Sequence, residues 1–212
     1  MASAFGPAAA CLVHYGSHVH GAEPAPESAQ DFFVIVEAYA PAYRALALEG
    51  ALHRPAWLAA GLNRILPPNV IGIRAGTGLA KCAVLRWRDL ESGCSARPRD
   101  HFVRARLFQQ VEITWARDAA ARARAATAIA AARAGTFRWI RPFLPAVFGA
   151  GGYAETLLQV SFAAEIRPED ESRPARLAAA QGGTLLPVYG ALLDDLAARG
   201  VLAREGAEYR EP

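Results

Sequence analysis

The stretch HYGSHVHGAEPAPESAQDFFVIVEAY, from His14 to Tyr39, places a Gly-Ser pair ahead of a polar, proline-containing loop and an apolar strand. Asp31 is the first residue of that strand. A carboxylate there is costly to bury beside the apolar residues that follow unless it has a partner. Gly16 and Ser17 stand just across the loop. The stretch therefore raises the question of what keeps a carboxylate beside a Gly-Ser turn.

The composition is that of a folded protein with a substantial core. The chain has 212 residues, of which 53% are hydrophobic, which is enough for one generous domain or two small ones. No apolar run of about 18 or more residues is free of charge, so a membrane span is not expected. The first residues lack the basic region and apolar core of a secretory signal. We therefore expect a cytoplasmic protein.

The cysteine pattern and the net charge limit which metal, ligand or partner sites are expected. Cys11, Cys82 and Cys94 are odd in number and form no CxxC motif, which argues against a disulfide framework and a structural zinc site. The net charge of +3 is compatible with phosphate ligands or anionic lipid headgroups. It is too small to indicate a nucleic-acid partner.

Short apolar runs in the first half of the chain predict a sheet. Five runs bounded by Gly, Pro or Asp have the length and composition of strands that are covered on at least one face. They are CLVHYG (11–16), DFFVIVEAY (31–39), VIGI (70–73), LAKCAVLRW (79–87) and VEITW (111–115).

Helical spacing of apolar residues lies between these runs and dominates after Trp115. The predicted helices are PAYRALALEGAL (41–52), PAWLAAGLNRIL (55–66), ARDAAARARAATAIAAARAG (116–135), GYAETLLQVSFAAEI (152–166) and TLLPVYGALLDDLAARG (184–200), the last two separated by RPEDESRPAR (167–176). Gly135 is a plausible helix stop. The fold class is therefore α+β, with a mixed sheet and helices in residues 1–114 and a mainly helical C-terminal domain in residues 115–212.

The opening stretch has the chemistry of a phosphate site. In a Gly-Ser turn, backbone N–H groups at Gly16 can approach phosphate oxygens, and the Ser17 hydroxyl adds a hydrogen bond. An aspartate at the head of the next strand can hold Mg²⁺, which takes one or two protein carboxylates and fills its other positions with water and phosphates. This outline is that of the nucleotidyltransferase signature. The usual second carboxylate, two residues after Asp31, is Phe33 here.

Other polar residues extend the candidate site. Lys81 is the one lysine among 23 basic residues, and an unpaired lysine among apolar residues favours a site over an edge-strand role. Arg104 and Arg106 alternate on an apparently extended segment, so they share a face that is either solvated or a phosphate site. Asn69 follows Pro67-Pro68 and either closes a turn or contacts a ligand.

The order and spacing of these blocks resemble the mitochondrial-type phosphatidate cytidylyltransferases, a family of the nucleotidyltransferase superfamily. The resemblance runs from about Tyr15 to about Leu193 through YGS (15–17), DFFVIVEAYAPAYRAL (31–46), PPNVIGI (67–73), AKCAVL (80–85), FVRARLFQQV (102–111), YAETLLQVSFAAEIR (153–167) and YGALL (189–193).

Individual residues carry the likeness and its departures. Lys81, Asn69 and Arg106 fall on the family's lysine, asparagine and arginine, and Glu37 on its acidic residue six places after the aspartate. The family also lacks a carboxylate at the position of Phe33. Two features differ. Ala105 replaces the glycine of the Gly-Arg-Leu-Gln motif, and the acidic pair after the lysine strand is not in register with Asp89 and Glu91.

The resemblance implies transfer of CMP from CTP to phosphatidate, giving CDP-diacylglycerol for phospholipid and cardiolipin synthesis. It implies Asp31 and Lys81 as catalytic residues, with Asp31 also the ligand of Mg²⁺. It further implies that Gly16, Ser17, Asn69 and Arg106 bind the nucleotide and its phosphates. The partners would be CTP, phosphatidate and the inner face of a membrane, on which the protein would lie peripherally.

Several alternatives stay open. The acceptor could instead be a protein, a metabolite or a nucleic-acid end, or the domain could be a non-catalytic nucleotide-binding module. Asp31 could cap the loop–strand junction. The three histidines His14, His18 and His20 lack partners at metal-ligand spacing. The aromatic residues Trp139, Phe143 and Phe148 could pack in the core or meet a membrane interface.

Overall fold

The protein is described by a computed structural model over residues 1–20, 28–75, 78–163 and 173–212. Its centre is a mixed sheet of five strands in the order β3-β4-β2-β1-β5. The strands are β1 (Ala9–Tyr15), β2 (Gln30–Val36), β3 (Asn69–Ala75), β4 (Gly78–Arg86) and β5 (Glu112–Ala116). β2 and β4 are parallel, whereas the other neighbouring pairs are antiparallel.

Both faces of the sheet are buried, which explains why β2 is apolar from Phe32 to Val36. Phe33 and Ile35 project to one face and contribute to one core cluster. Phe32 and Val34 project to the other face and contribute to a second cluster. Because side chains alternate along a strand, Asp31 lies on the same face as Phe33.

Helices cover the two faces. On the Phe32 side lie a 3₁₀ segment (Ala2–Ala8), α1 (Tyr39–Leu48) and α2 (Ala56–Ile65). On the Phe33 side lie α3 (Trp87–Cys94), α4 (Phe102–Leu107) and α5 (Ala119–Ala134). α5 begins where the Asp118 carboxylate accepts a hydrogen bond of 2.7 Å from the Ala121 N–H, and it ends at Gly135.

The remaining elements enclose a third core cluster, which includes Tyr153 and Tyr189. They are α6 (Thr136–Ile140), a 3₁₀ turn (Arg141–Phe143), β6 (Val147–Phe148), α7 (Ala150–Ala163), α8 (Arg173–Ala180), α9 (Gly182–Ala198), β7 (Ala203–Glu205) and β8 (Glu208–Arg210). The last strands form a small sheet in the order β6-β8-β7. Phe108 at the end of α4 also packs in this cluster.

The predicted mixture of helices and strands is confirmed, including all five strand segments and the long Ala/Arg helix. The predicted extended conformation around Arg104 is wrong. That segment is α4, because a helix allows Val103 and Leu107 to reach one core cluster while Ala105 reaches another. The boundary predicted after residue 114 falls inside β5, and α5 packs on the sheet.

Two predicted segments extend beyond the described residues. Residues 164–166 of the predicted helix 152–166, and residues 167–172 of the charged segment, lie outside them. So do residues 21–27 of the opening stretch. Across the described ranges, no helix combines the length and the apolar character needed to cross a membrane.

The three aromatic residues considered for a membrane interface have different environments. Phe148 is buried in the third cluster. The Trp139 ring stacks on the His101 ring with 4.5 Å between centroids. Phe143 is 60% exposed. These residues therefore do not form one exposed aromatic surface.

Candidate functional site

Asp31 lies between two predicted site strands. In the antiparallel pairing of β1 and β2, Tyr15 is opposite Asp31. In the parallel pairing of β2 and β4, Lys81 is opposite Asp31. Neighbouring strands are about 4.8 Å apart, so the three side chains form a row across one face of the sheet. The two residues expected to be catalytic, Asp31 and Lys81, are thus brought together.

Gly16 lets the turn close against the Asp31 carboxylate. Its φ is +87°, a left-handed conformation that favours glycine. A Cβ atom at this position would lie 3.0 Å from Asp31 Oδ2. The Val19 N–H donates a hydrogen bond of 3.0 Å to the Gly16 carbonyl, so Gly16 to Val19 form a tight turn. Ser17 follows Gly16 in this turn.

Arg106 reaches the same site from α4. Its Nη1 donates a hydrogen bond of 3.1 Å to the Phe102 carbonyl, and its Cζ lies 4.0 Å from the centre of the Phe102 ring. The guanidinium is close enough to influence the pKa of both Asp31 and Tyr15. A helix, rather than the predicted strand, delivers this cation to the carboxylate.

Phe33 packs against the Phe102 ring on which the Arg106 guanidinium lies. The Phe33 side chain is fully buried. Its ring centroid lies 4.5 Å from that of Tyr15 and 6.2 Å from that of Phe102, with the second contact edge to face. The position that carries a second carboxylate in the general signature therefore carries a packing residue here. It anchors the aromatic ring on which Arg106 rests.

The location of Asp31 affects how readily its carboxyl group ionises. Burial raises its pKa above the ordinary value, and the basic side chains of Lys81, Arg106, His18 and His14 oppose that rise. The charged neighbours with the largest effects on this pKa are basic. A half-buried carboxylate among several cations is typical of a functional site, because a structural ion pair needs only one partner.

Tyr15 is a site residue that sequence reasoning used only as part of a motif. Its ring is buried. Burial and the Asp31 carboxylate raise the pKa of its hydroxyl well above the usual value, whereas Arg106 lowers it. The signal was available in the sequence, because Tyr15 has the same strand parity as the core residues Val13 and Cys11.

The histidines near the turn contact neighbouring residues, and among the described residues they belong to no group that could hold a metal ion. His18 Nε2 lies 2.7 Å from Ser28 Oγ, and His20 Nε2 lies 3.1 Å from the Gln110 carbonyl. The His14 ring stacks on Phe32 with 4.4 Å between centroids. Burial lowers the pKa of His14 and of His20, which favours their neutral forms.

The residues around Asp31 fit Mg²⁺ only together with a phosphate ligand. In the part of the chain that the structure describes, no group of three His, Cys, Asp or Glu residues could hold a metal ion. Mg²⁺ is commonly bound by one or two carboxylates together with substrate phosphates. A single carboxylate facing Lys81 and Arg106 suits an ion that arrives with a triphosphate. It does not suit a resident ion.

Asn69 is not brought to this site. It pairs with Val84, three residues along β4 from Lys81, a separation of about 10 Å. Its N–H donates a hydrogen bond of 2.7 Å to Asn63 Oδ1. Asn63 is fully buried and donates to the Tyr43 hydroxyl at 2.9 Å. Asn69 therefore belongs to a polar network that ties α1 and α2 to the start of β3.

The other acidic residues considered with the family motifs also have structural partners. Glu37 lies beyond the far end of β2, where Arg117 donates to it at 2.9 Å. Asp89 accepts hydrogen bonds from the Tyr39 hydroxyl at 2.6 Å and from Arg86 Nε at 2.9 Å. Because Glu37 is about 20 Å along the strand from Asp31, the two carboxylates do not share one site.

Comparison with known proteins adds no assignment. No protein-family model matches the chain, and no curated protein matches it significantly.

Proposed function

We propose that the protein is a nucleotidyltransferase that transfers CMP from CTP to phosphatidate, giving CDP-diacylglycerol and pyrophosphate. The observation that carries the proposal is the pairing of Asp31 with Lys81 beside the glycine turn at Gly16. The choice of CTP and phosphatidate as substrates rests on the resemblance of the sequence blocks to the phosphatidate cytidylyltransferases. In this proposal the five-stranded sheet and its helices form the nucleotidyltransferase-like domain, and the helices that follow form a C-terminal domain.

The roles follow from charge and position. Gly16 and Ser17 would hold the triphosphate through the backbone N–H groups and the hydroxyl of the turn. Lys81 and Arg106, which both act on the Asp31 carboxyl, would neutralise phosphate charge. Asp31 would hold Mg²⁺ that enters with the nucleotide, and the ion would supply further neutralisation of the phosphates. Tyr15 would keep the Arg106 guanidinium in position.

The chemistry needs positioning more than proton transfer. A phosphate oxygen of phosphatidate would attack the α-phosphorus of CTP and form a new P–O bond. The bond from that phosphorus to the bridging oxygen would break, and pyrophosphate would leave with its electron pair. Since a phosphate monoester is already anionic near neutral pH, no strong base is required. The cations around Asp31 suit this requirement.

The experiment uses CTP labelled in its α-phosphate, Mg²⁺ and vesicles that contain phosphatidate. We expect a labelled lipid-soluble product with the wild-type protein and none with Asp31→Asn. Asp195→Asn is the matched control, because Asp195 is an exposed carboxylate paired with Arg199 on α9. A product that persists at a near-normal rate in Asp31→Asn would contradict the assigned role of Asp31.

A second candidate is a nucleotide-binding module without catalysis. It is favoured by Phe33 at the usual position of a second carboxylate, and because Asp31 is the one carboxylate that the described residues place at the site. Calorimetry with CTP, and with each of the other nucleoside triphosphates, separates the candidates. Binding without any product, for phosphatidate and for other acceptors, supports the module. Product formation excludes it.

A further inference from the structure

Helix α2 packs with its small residues inward and its large apolar residues outward. Ala59 and Asn63 are fully buried against the sheet, whereas Trp57 is 76% exposed and Ile65 is 66% exposed. At 100° per residue, Trp57, Leu58, Leu62 and Ile65 occupy one outward arc of about 140°. This is the reverse of the pattern expected for a helix on the surface of a monomer in water.

These side chains continue into Leu66, which is 64% exposed just after the helix. We call Trp57, Leu58, Leu62, Ile65 and Leu66 the α2 surface. Single exposed apolar residues are ordinary, but a contiguous group of five with a tryptophan marks a surface that meets a partner. The α2 surface lies on the Phe32 side of the sheet, opposite the face that carries Asp31.

The segment of sequence that carries the α2 surface is basic. From Gly50 to Arg88 the sequence has no Asp or Glu and six Arg or Lys residues. Arg54 immediately precedes the helix and Arg64 lies in its last turn, and both are exposed. Within the described ranges, neither arginine forms an ion pair.

We propose that the α2 surface docks on an anionic lipid membrane. Tryptophan and leucine side chains on one face of a short helix, flanked by arginines, are the features of a helix that lies in the interface plane. The arginine stems extend along apolar surface while their guanidinium groups reach lipid phosphates. A symmetric pair of copies would instead bring the unpaired Arg54 and Arg64 of both copies together. Lipid phosphates would supply a negative partner to both arginines.

This docking is independent of the transfer reaction, because the residues that carry it do not contact the Asp31 site. It goes beyond the proposed function, and it names the helix that holds the protein on the bilayer. A test therefore needs no substrate. Vesicles of equimolar phosphatidylcholine and phosphatidylglycerol present anionic headgroups without phosphatidate, so the measured binding does not report the acceptor site.

The experiment measures flotation of the protein with these vesicles and with vesicles of phosphatidylcholine alone. Wild-type protein should float with the anionic vesicles and much less with the neutral ones. The double variant Trp57→Ser/Ile65→Ser should reduce the partition coefficient at least about tenfold. Each of Arg54→Gln and Arg64→Gln should reduce it about fivefold, with the loss diminishing at high salt.

Matched controls separate docking from unfolding and from catalysis. The double variant Phe143→Ser/Val201→Ser removes exposed apolar side chains elsewhere and should float normally. Asp31→Asn should also float normally, even if it abolishes transfer. Circular dichroism and thermal melting verify that each variant is folded. Absence of wild-type flotation would overturn the proposal, and so would a dimer in sedimentation that disappears in Trp57→Ser/Ile65→Ser without any vesicle binding.

Discussion

Lys81 stands opposite Asp31 in the parallel register between β2 and β4, although 50 residues separate them in sequence. Burial raises the pKa of the Asp31 carboxyl, and Lys81 is the strongest of the basic neighbours that oppose the rise. The pair therefore combines a carboxylate that is costly to ionise with a cation on an exposed strand position.

Replacing Asp31 by Asn should make the protein more stable at neutral pH. Because burial raises the folded-state pKa above the unfolded value of 3.8, the folded state binds more protons between these two pKa values. Wild-type stability therefore falls as pH rises through this window, and the deficit remains at neutral pH. The advantage of Asp31→Asn should disappear as pH falls below the unfolded pKa. Urea unfolding at several pH values measures it.

Asp118→Asn provides a control of opposite sign. The Ala121 N–H and Arg117 lower the pKa of Asp118, so its ionised form contributes stability above its unfolded pKa. That contribution is lost as pH falls through the folded pKa. Asp118→Asn should therefore be less stable than wild type at neutral pH and should converge with it in acid. Identical pH profiles for the two variants would contradict the conclusion that burial disfavours the ionised form of Asp31.

Gly16→Ala should be more damaging than Gly200→Ala. Both glycines have positive φ, +87° and +71° respectively, so both substitutions carry a backbone penalty of about 1–2 kcal/mol. At Gly200 nothing lies within 4 Å of the added Cβ, whereas at Gly16 the Asp31 carboxylate lies 3.0 Å away. Unfolding free energies and CTP affinity measure the difference. Equal effects on both quantities would show that the turn does not press on the carboxylate.

Lys81→Gln should weaken CTP binding about tenfold or more, because a charge-assisted contact with phosphate is lost. Arg74→Gln is the matched control. Arg74 is an exposed cation on the adjacent strand, paired with Leu79 and therefore on the same face as Lys81. Its removal should change CTP affinity much less. Calorimetric titrations at two salt concentrations test this, and equal losses would indicate only a diffuse positive field.

Asn69→Ala should leave CTP affinity unchanged and reduce stability. In the described structure the Asn69 N–H is held by Asn63, and the Asn69 side chain acts on the Tyr43 hydroxyl. Asn63→Ala, which leaves buried groups without their partner, should lose about 1–3 kcal/mol of unfolding free energy. A selective loss of CTP affinity in Asn69→Ala, with normal stability, would restore the nucleotide-binding role that the sequence predicted.

The sequence alone was sufficient for the five strands of the main sheet and for the long helices, and it pointed to residues that the structure brings together around Asp31. The strands and long helices are visible locally, because uninterrupted apolar runs and periodic spacing depend only on neighbouring residues. Gly16, Ser17 and Asp31 were predicted because a glycine turn ahead of a carboxylate and an apolar strand is the outline of a phosphate site, and the structure places Gly16 against the Asp31 carboxylate. Lys81 stood out because it is the one lysine in the chain.

Tertiary structure decided what depends on distant partners. The register that places Lys81 opposite Asp31 is set by strand pairing across the sheet. Arg106 reaches the site on a helix because Val103 and Leu107 pack in one core cluster while Ala105 packs in another. Phe33 serves packing because its ring is needed beneath Phe102. Asn69, at the start of β3, pairs with Val84, three residues along β4 from Lys81. Which residues of α2 face outward depends on which side of the helix packs against the sheet. No local pattern in the sequence determines that side.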